Sequence, residues 1–188
     1  MFSRKEILSI PNILSYFRVL LIPVFMYLYF KAETDREYYI ATIVVGVSSI
    51  TDMFDGLIAR RYNMVTELGK LIDPVADKLT QLALIICLLK RYDLMWILLA
   101  VHVVKEGLMA IIGLIILKHN GQKLDGAKWY GKVTTAMVYV VMFLLLLLPG
   151  ISNNIANALI ITCIASVVLT LIGYIPVFIG MYRHTEGE

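Results

Sequence analysis

Six long apolar stretches, separated by short polar breaks, run through the 188-residue chain. They cover roughly residues 14–30, 38–60, 72–90, 94–117, 130–149 and 154–181. Each is close to the roughly 20 predominantly apolar residues that a helix needs to cross a bilayer. Before them, residues 2–10 mix charged and apolar side chains, which is typical of a short helix in the membrane interface, and Pro11 is expected to end it. The pattern predicts an all-α integral membrane protein with six transmembrane helices preceded by a short interfacial amphipathic helix.

The composition supports a membrane setting. Hydrophobic residues make up 60% of the chain, and the mean hydropathy is +0.80. Soluble domains are about 45–50% apolar, so a soluble enzyme, a disordered chain and a small disulfide-rich secreted protein are excluded. The length predicts a single membrane domain over residues 1–188. Cys87 and Cys163 lie alone in apolar stretches, which favours buried thiols over a zinc site.

Lys and Arg residues are distributed unequally between the two sides of the predicted helices. With the N-terminus in the cytoplasm, twelve of the 17 lie near cytoplasmic helix ends, four lie on the opposite side, and Lys105 lies within the fourth stretch. Cytoplasmic loops of membrane proteins carry the excess of these residues. Both termini and the polar segment 118–129 are therefore predicted to be cytoplasmic. Residues 1–18 lack the features of a cleaved signal peptide, so an uncleaved N-terminus is expected.

Four aspartates occupy positions that hydropathy should exclude. Asp52 and Asp55 lie toward the end of the second stretch, and Asp73 and Asp77 lie at the start of the third. Spacings of three and four residues place each pair on one helical face, and the short link between the stretches predicts a hairpin in which the faces can meet near the cytoplasmic surface. A carboxylate at membrane depth is costly unless it is paired, hydrated or metal-bound, and oxygen ligands select hard cations. A structural ion network with neighbouring cations and the ion path of a transporter remain open alternatives.

These aspartates belong to a longer motif. It runs Asp52-x₂-Asp55-Gly56-x₂-Ala59-Arg60-x₈-Gly69-x₃-Asp73-x₃-Asp77. At every fixed position it resembles the signature of the CDP-alcohol phosphatidyltransferase family, whose members displace CMP from a CDP-linked lipid or alcohol with a hydroxyl nucleophile. The resemblance implies two divalent ions, Mg²⁺ or Mn²⁺, with Asp52, Asp55, Asp73 and Asp77 as ligands. It also implies that Asp77 is the general base for the attacking hydroxyl.

Other residues of the resemblance are expected to bind the nucleotide. Gly56 and Ala59 leave room for a flat base and ribose, and Gly69 does likewise. Arg60 can contact the CDP phosphates as a planar cation with several donors, and Asn12 is expected to contribute from the N-terminal stretch. Close helix packing is the alternative reason for Gly56 and Ala59, and a cytoplasmic flanking charge is the alternative role of Arg60.

Further stretches bear on the acceptor alcohol. Residues 11–18 and 71–79 resemble the phosphatidylglycerophosphate synthase branch, which implies CDP-diacylglycerol as donor and sn-glycerol 3-phosphate as acceptor. Lys105 and Lys132 are the cations expected to bind the acceptor phosphate. Lys105 and Thr134 stand where that branch has Arg and a second Lys, and weaker phosphate contacts would also suit phosphatidylglycerol, the acceptor of CMP-forming cardiolipin synthases. Alternatively, Lys105 forms a buried ion pair with the adjacent glutamate, and Lys132 is a flanking charge.

The resemblance also implies a biological setting. We expect a multi-pass protein in the lipid bilayer of a bacterial inner (plasma) membrane, with its active site on the cytoplasmic side. A homodimer is predicted, and no nucleic-acid partner is expected because the net charge is only +3. A cation-coupled transporter is the remote alternative. It would be expected to show acidic positions at mid-bilayer in two related halves, whereas the aspartates here cluster at one end.

Overall fold

The computed structural model describes residues 9–61, 66, 68–120 and 128–183, with the side chains of 10–11, 52–60, 70–71, 119–120 and 182–183 outside the description. Within these ranges the chain forms six α-helices and no strand, which confirms the all-α prediction. The helices are α1 (Ile10–Lys31), α2 (Asp35–Arg61), α3 (Gly69–Leu88), α4 (Met95–Asn120), α5 (Trp129–Leu147) and α6 (Asn153–Arg183). The predicted interfacial helix over 2–10 falls almost entirely outside the described residues.

The start of α1 differs from the sequence-based expectation. Pro11 lies in the first turn of α1, so the helix begins before the proline rather than after it. The reason is that the first N–H groups of a helix have no partner within it, so a proline there costs no hydrogen bond and its fixed φ suits the helix. As a consequence, α1 begins four residues earlier than the predicted stretch and includes Asn12 in its first turn.

Four of the six helices are long and apolar enough to cross a membrane by length and composition. They contribute the segments Asn12–Lys31, Met95–Lys118, Trp129–Leu147 and Asn153–Met181. The other two, α2 and α3, are the helices that carry the aspartate motif, whose charges lower their mean hydropathy. The number of helices therefore agrees with the prediction, and four spans are supported by composition alone.

By its internal contacts the chain divides into two compact units. The first consists of residues 1–88 and 143–150, and within it α1 packs against both α2 and α3. Its buried side chains include Phe25 and Tyr29 from α1 and Leu84 and Ile85 from α3. The small side chain of Ala41 is fully buried on α2, as expected where membrane helices approach closely. Because α1 contacts both helices that carry the motif, its residues can act on that motif.

The second unit consists of residues 89–142 and 151–188. Within it α4 packs against α6, and a cluster of buried side chains forms around Ile116, Tyr174 and Phe178. Tyr130, near the start of α5, packs against the same cluster. This unit contains both lysines that were predicted to bind the acceptor.

Candidate active site

The two aspartates of α3 lie beside polar side chains of α1. Ser15 Oγ donates a hydrogen bond to Asp73 Oδ1 over 2.6 Å. Arg18 Nη1 donates to Asp77 Oδ1, also over 2.6 Å, in an ion pair. Asp73 and Asp77 are about one helical turn apart on α3, and Ser15 and Arg18 are about one turn apart on α1. The two hydrogen-bonded pairs therefore lie one turn after the other along the contact between α1 and α3. The structure thus places half of the predicted metal-binding aspartates on one face of α3.

The Arg18–Asp77 pair is buried at one end only. The Arg18 side chain is 2% exposed, whereas the Asp77 side chain is 48% exposed. A guanidinium in a buried position needs a counter-charge and hydrogen-bond acceptors, because its desolvation is costly. Asp77 supplies both while part of its surface remains accessible. A substrate or cation can therefore approach Asp77 from the open side without exposing Arg18.

A second group of contacts joins the start of α1 to the start of α3. Thr66 Oγ1 donates to Asn12 Oδ1 over 3.1 Å and accepts from the backbone N–H of Gly69 over 2.9 Å. The Asn12 side chain is buried, and a Cβ atom added to Gly69 would lie 2.8 Å from its Oδ1. This approach gives Gly69 a packing role that does not depend on a ligand. Its role in nucleotide binding, and that of Asn12, stay predictions.

The remaining motif residues lie on α2. The backbone of residues 52–60 is helical, but the side chains of Asp52, Asp55, Gly56, Ala59 and Arg60 are outside the description. The predicted meeting of the two aspartate pairs therefore stays a prediction. Within the described part of the chain, no group of three or more His, Cys, Asp and Glu side chains is close enough to hold a metal ion.

The described half of the predicted ligand set suits a hard cation. Asp73 and Asp77 offer carboxylate oxygens on one helical face, and hard divalent ions prefer such ligands. Ser15 holds one oxygen of Asp73, as the hydrogen-bonding partners of metal ligands commonly do. The donor chemistry thus fits Mg²⁺ or Mn²⁺, provided that further oxygen ligands come from α2.

In the second unit, Lys105 is paired with its neighbour in sequence. The Lys105 ammonium donates to Glu106 Oε1 over 2.5 Å, and the Lys105 side chain is 10% exposed. His102, one turn earlier on α4, is also buried. The ion pair that was the alternative interpretation of Lys105 is therefore present. A role of Lys105 at an acceptor phosphate stays a prediction, and any such phosphate would meet an ammonium already shared with a carboxylate.

The start of α5 is fixed to α6 by two reciprocal tyrosine–glycine contacts. The Tyr174 hydroxyl accepts from the backbone N–H of Lys128 over 3.0 Å, and the Tyr130 hydroxyl donates to the carbonyl of Gly173 over 2.9 Å. The two rings meet edge to face with centroids 5.1 Å apart. A Cβ atom on Gly131 would lie 2.6 Å from the Tyr174 hydroxyl oxygen. We call these residues the α5–α6 interlock.

The interlock bears directly on Lys132, which follows Gly131 and is exposed. Thr134, two residues further on, is buried and its hydroxyl lies 2.6 Å from that of Thr170 on α6. Thr134 therefore serves a helix contact at the position where the related branch has a cationic side chain. Of Lys132 and Thr134, only Lys132 presents a charge at the surface.

The sequence interpretation did not assign site roles to Ser15, Arg18 or Thr66. Arg18 was counted as a cytoplasmic flanking charge and, together with Ser15, as part of a resembling stretch. A signal was present, because Asn12, Ser15 and Arg18 follow one another at intervals of three in an otherwise apolar helix. Spacing of this kind places polar groups along one side of a helix.

Comparison with known proteins identifies the family of the chain. The profile of the CDP-alcohol phosphatidyltransferase family matches residues 8–180, and the chain belongs to this family. Curated relatives named CDP-diacylglycerol–glycerol-3-phosphate 3-phosphatidyltransferase occur in Escherichia coli strain K12, Shigella flexneri serotype 5b and Shigella sonnei. Each is 31% identical to the chain over 145 residues, which cover 76% of this chain and 79% of the relative.

Family membership confirms the main sequence-based prediction. The chain is an enzyme, a phosphatidyltransferase of phospholipid biosynthesis, and a membrane protein with several apolar helices. The family is generally metal-dependent.

Proposed function

We propose that the enzyme transfers a phosphatidyl group from CDP-diacylglycerol to sn-glycerol 3-phosphate and releases CMP. The aspartate motif, within a family match that covers residues 8–180, is the observation that carries this proposal. The function named for the curated relatives supports the choice of both substrates. The cluster of Asp73 and Asp77 beside α1 supports a polar reaction site at one end of the first unit.

The reaction exchanges one phosphorus–oxygen bond for another. A hydroxyl oxygen of the acceptor forms a bond to the phosphorus that carries the diacylglycerol, and the bond from that phosphorus to the bridging oxygen of CMP breaks with its electron pair. Such transfers depend on holding nucleophile and leaving group in line and on neutralising phosphate charge. The hydroxyl proton passes to a carboxylate. We assign this role to Asp77, because its side chain is half-exposed while the buried Arg18 forms an ion pair with one of its oxygens.

We further propose two divalent ions, Mg²⁺ or Mn²⁺, with Asp52, Asp55, Asp73 and Asp77 as ligands. When bound, such ions neutralise charge on the phosphate oxygens and stabilise the attacking and leaving oxygens. The protein's own contribution is to gather the carboxylates and fix their orientation. Gly56, Ala59, Arg60, Gly69 and Asn12 are proposed to bind the nucleotide beside them.

For the acceptor, we propose that Lys105 and Lys132 contact the phosphate of sn-glycerol 3-phosphate. Loss of one charged hydrogen bond costs about 1.5–3 kcal/mol, which corresponds to a roughly ten- to hundredfold lower kcat/KM for the acceptor. Two observations favour phosphatidylglycerol as a second candidate acceptor. Glu106 already neutralises Lys105, and Thr134 is engaged with Thr170, so fewer cations are available for a dianionic phosphate.

We propose that the whole chain, residues 1–188, is one membrane domain, because the family match extends through both compact units. We also propose that α2 and α3 cross the membrane, which makes six spans, and that the protein is a homodimer in a bacterial inner membrane. The charge distribution supports placing both termini and the active site in the cytoplasm.

The decisive experiment offers purified protein CDP-diacylglycerol and Mg²⁺ with each acceptor separately and measures CMP. We expect release with sn-glycerol 3-phosphate, and near-complete loss of it in Asp73→Asn. Release with phosphatidylglycerol alone would establish the second candidate. No release with either acceptor, or wild-type turnover in Asp73→Asn at saturating Mg²⁺, would reject the proposed function or the site. Lys105→Ala and Lys132→Ala should raise the KM for the acceptor while that for CDP-diacylglycerol changes little.

A further inference from the structure

Each described aspartate of the motif is held by a buried donor from a different helix. Ser15 contacts Asp73 and Arg18 contacts Asp77, both over 2.6 Å. We propose that Ser15 and Arg18 are positioning residues, through which α1 sets the orientation of the two carboxylates on α3. The inference rests on the proposed function, because it assigns these carboxylates to the reaction site.

Both donors are buried, which restricts the groups that they can contact. Ser15 is 0% exposed and Arg18 is 1% exposed, so neither side chain can exchange its partner for water without moving α1. A buried hydroxyl or guanidinium is costly unless it is hydrogen-bonded. The chain instead could have filled these positions with apolar side chains, as it does at Phe25 on the same helix. Polar side chains at two successive turns of α1 indicate that their function is to hydrogen-bond the carboxylates.

Geometry explains what each contact does. A carboxylate on a helix can rotate about two side-chain bonds, and a hydrogen bond to one oxygen restricts that rotation. The other oxygen is thereby kept in a defined direction for a ligand. Partners of this kind around a metal-binding carboxylate typically change metal affinity or activity by about 10–100-fold when they are removed. In both contacts the α1 side chain donates the hydrogen bond and the carboxylate accepts it, as a metal-binding carboxylate requires.

The two contacts differ in charge. Ser15 is neutral and leaves the full charge of Asp73 for a cation, whereas Arg18 places a fixed positive charge against Asp77. This charge repels a cation, so the positioning role requires that the loss of orientation in an Arg18 variant outweighs the relief of that repulsion. Ser15→Thr should keep the hydroxyl and its function, whereas Arg18→Lys should recover the charge but lose the planar donor geometry.

The test measures Mn²⁺ binding by electron paramagnetic resonance in detergent without substrate, alongside kcat and KM in CMP release. We expect Ser15→Ala and Arg18→Gln to weaken Mn²⁺ binding about tenfold or more and to lower kcat with little change in the KM for CDP-diacylglycerol. Ser15→Thr should restore both. Ser49→Ala is the matched control, because the Ser49 hydroxyl donates to the Val45 carbonyl of its own helix, and it should leave Mn²⁺ binding unchanged.

A double variant separates orientation from folding. Arg18→Gln and Asp77→Asn should each lower the melting temperature, since each removes one member of the Arg18–Asp77 ion pair. The combined variant should recover most of that stability while Mn²⁺ binding and turnover stay low. Recovery of turnover with stability would overturn the proposal, because the site would then work without the Asp77 carboxylate that Arg18 is proposed to orient.

The outcome is distinguishable from failure of the proposed function. Mn²⁺ affinities within twofold of wild type in Ser15→Ala and Arg18→Gln would overturn the positioning roles, even with normal CMP release by the wild-type enzyme. Absence of CMP release by the wild type with both acceptors would reject the proposed function, while the Mn²⁺ measurement would still report on Ser15 and Arg18. A wild-type protein that binds no Mn²⁺ would overturn the inference.

Discussion

At the scale of single residues, Gly69 occupies a position in the candidate site that leaves no room for a side chain. A side chain there would meet Asn12 Oδ1 at 2.8 Å and Thr66 Oγ1 at 3.1 Å. Distances below 3.0 Å require something to shift, and the buried Asn12 side chain has little freedom to do so. Gly69 lies four residues before Asp73, so any displacement of the start of α3 also moves that carboxylate. Glycine is needed here for space.

We therefore predict that Gly69→Ala destabilises the protein by about 1–3 kcal/mol, the usual cost of overpacking, and lowers turnover. The measurement is thermal unfolding in detergent together with CMP release. Gly107→Ala is the matched control, because a Cβ there meets nothing within 4 Å. As alanine favours helix more than glycine does, the control should be neutral or slightly more stable. Equal stability of the two variants would contradict the packing role.

At the scale of elements, a glycine in the α5–α6 interlock also leaves space for a neighbouring side chain, here between two helices. Gly131→Ala should push the Tyr174 ring away, because the added Cβ would lie 2.6 Å from the hydroxyl oxygen and 3.3 Å or more from the ring carbons. The hydrogen bond from the Lys128 N–H would then be lost. We predict a lower melting temperature for Gly131→Ala and a partial recovery in Gly131→Ala/Tyr174→Phe, which removes the clashing oxygen. A double variant less stable than Gly131→Ala would refute this account.

The beginning of α2 has a capping box that makes a pH-dependent prediction. Glu37 Oε2 accepts from the backbone N–H groups of Glu33 and Thr34 over 2.8 and 3.2 Å, and the Glu37 N–H donates to Thr34 Oγ1 over 3.4 Å. The Glu33 contact, followed by the Thr34 contacts, lowers the pKa of the Glu37 carboxyl. A lowered folded-state pKa adds stability above the ordinary glutamate pKa, and this is lost as the pH falls through the lowered value.

We accordingly predict that Glu37→Gln is less stable than the wild type at pH 7 and that the difference shrinks as the pH falls toward 3. Melting temperatures of both proteins across this range measure it. A carboxyl titration of Glu37 by nuclear magnetic resonance should also show a midpoint below the ordinary glutamate value. A stability difference that grows on acidification would have the wrong sign for this mechanism.

At the scale of the whole molecule, the hydrophobic pattern predicted six helices because each is formed by a long, predominantly apolar stretch of sequence. It misplaced the start of α1, since Pro11 can either end a helix or begin one. The aspartate motif predicted Asp73 and Asp77 as site residues from local spacing alone, and that assignment stays a prediction. Ser15 and Arg18 were missed because their partners lie 58 and 59 residues away in the chain, and such pairing depends on how the helices pack.

The last prediction concerns the orientation of the whole chain in the membrane. The unequal distribution of Lys and Arg predicts that residue 121 is cytoplasmic and that the turn after α5, with Gly150, lies on the opposite side. A Cβ at Gly150 meets nothing within 4 Å, so a cysteine fits there without strain. The native thiols, Cys87 and Cys163, are buried and can be replaced by alanine to give a background without cysteine.

In that background, a membrane-impermeant maleimide applied to intact cells should label Gly150→Cys and not Gly121→Cys. Opening the cells should make Gly121→Cys reactive, which shows that its earlier protection came from the membrane rather than from burial. The two variants serve as each other's control, because an odd number of spans must separate them if α5 crosses the bilayer. Labelling of Gly121→Cys alone from outside would mean that the orientation is the reverse of the predicted one. The aspartates would then lie on the wrong side of the membrane for a cytoplasmic nucleotide-linked donor.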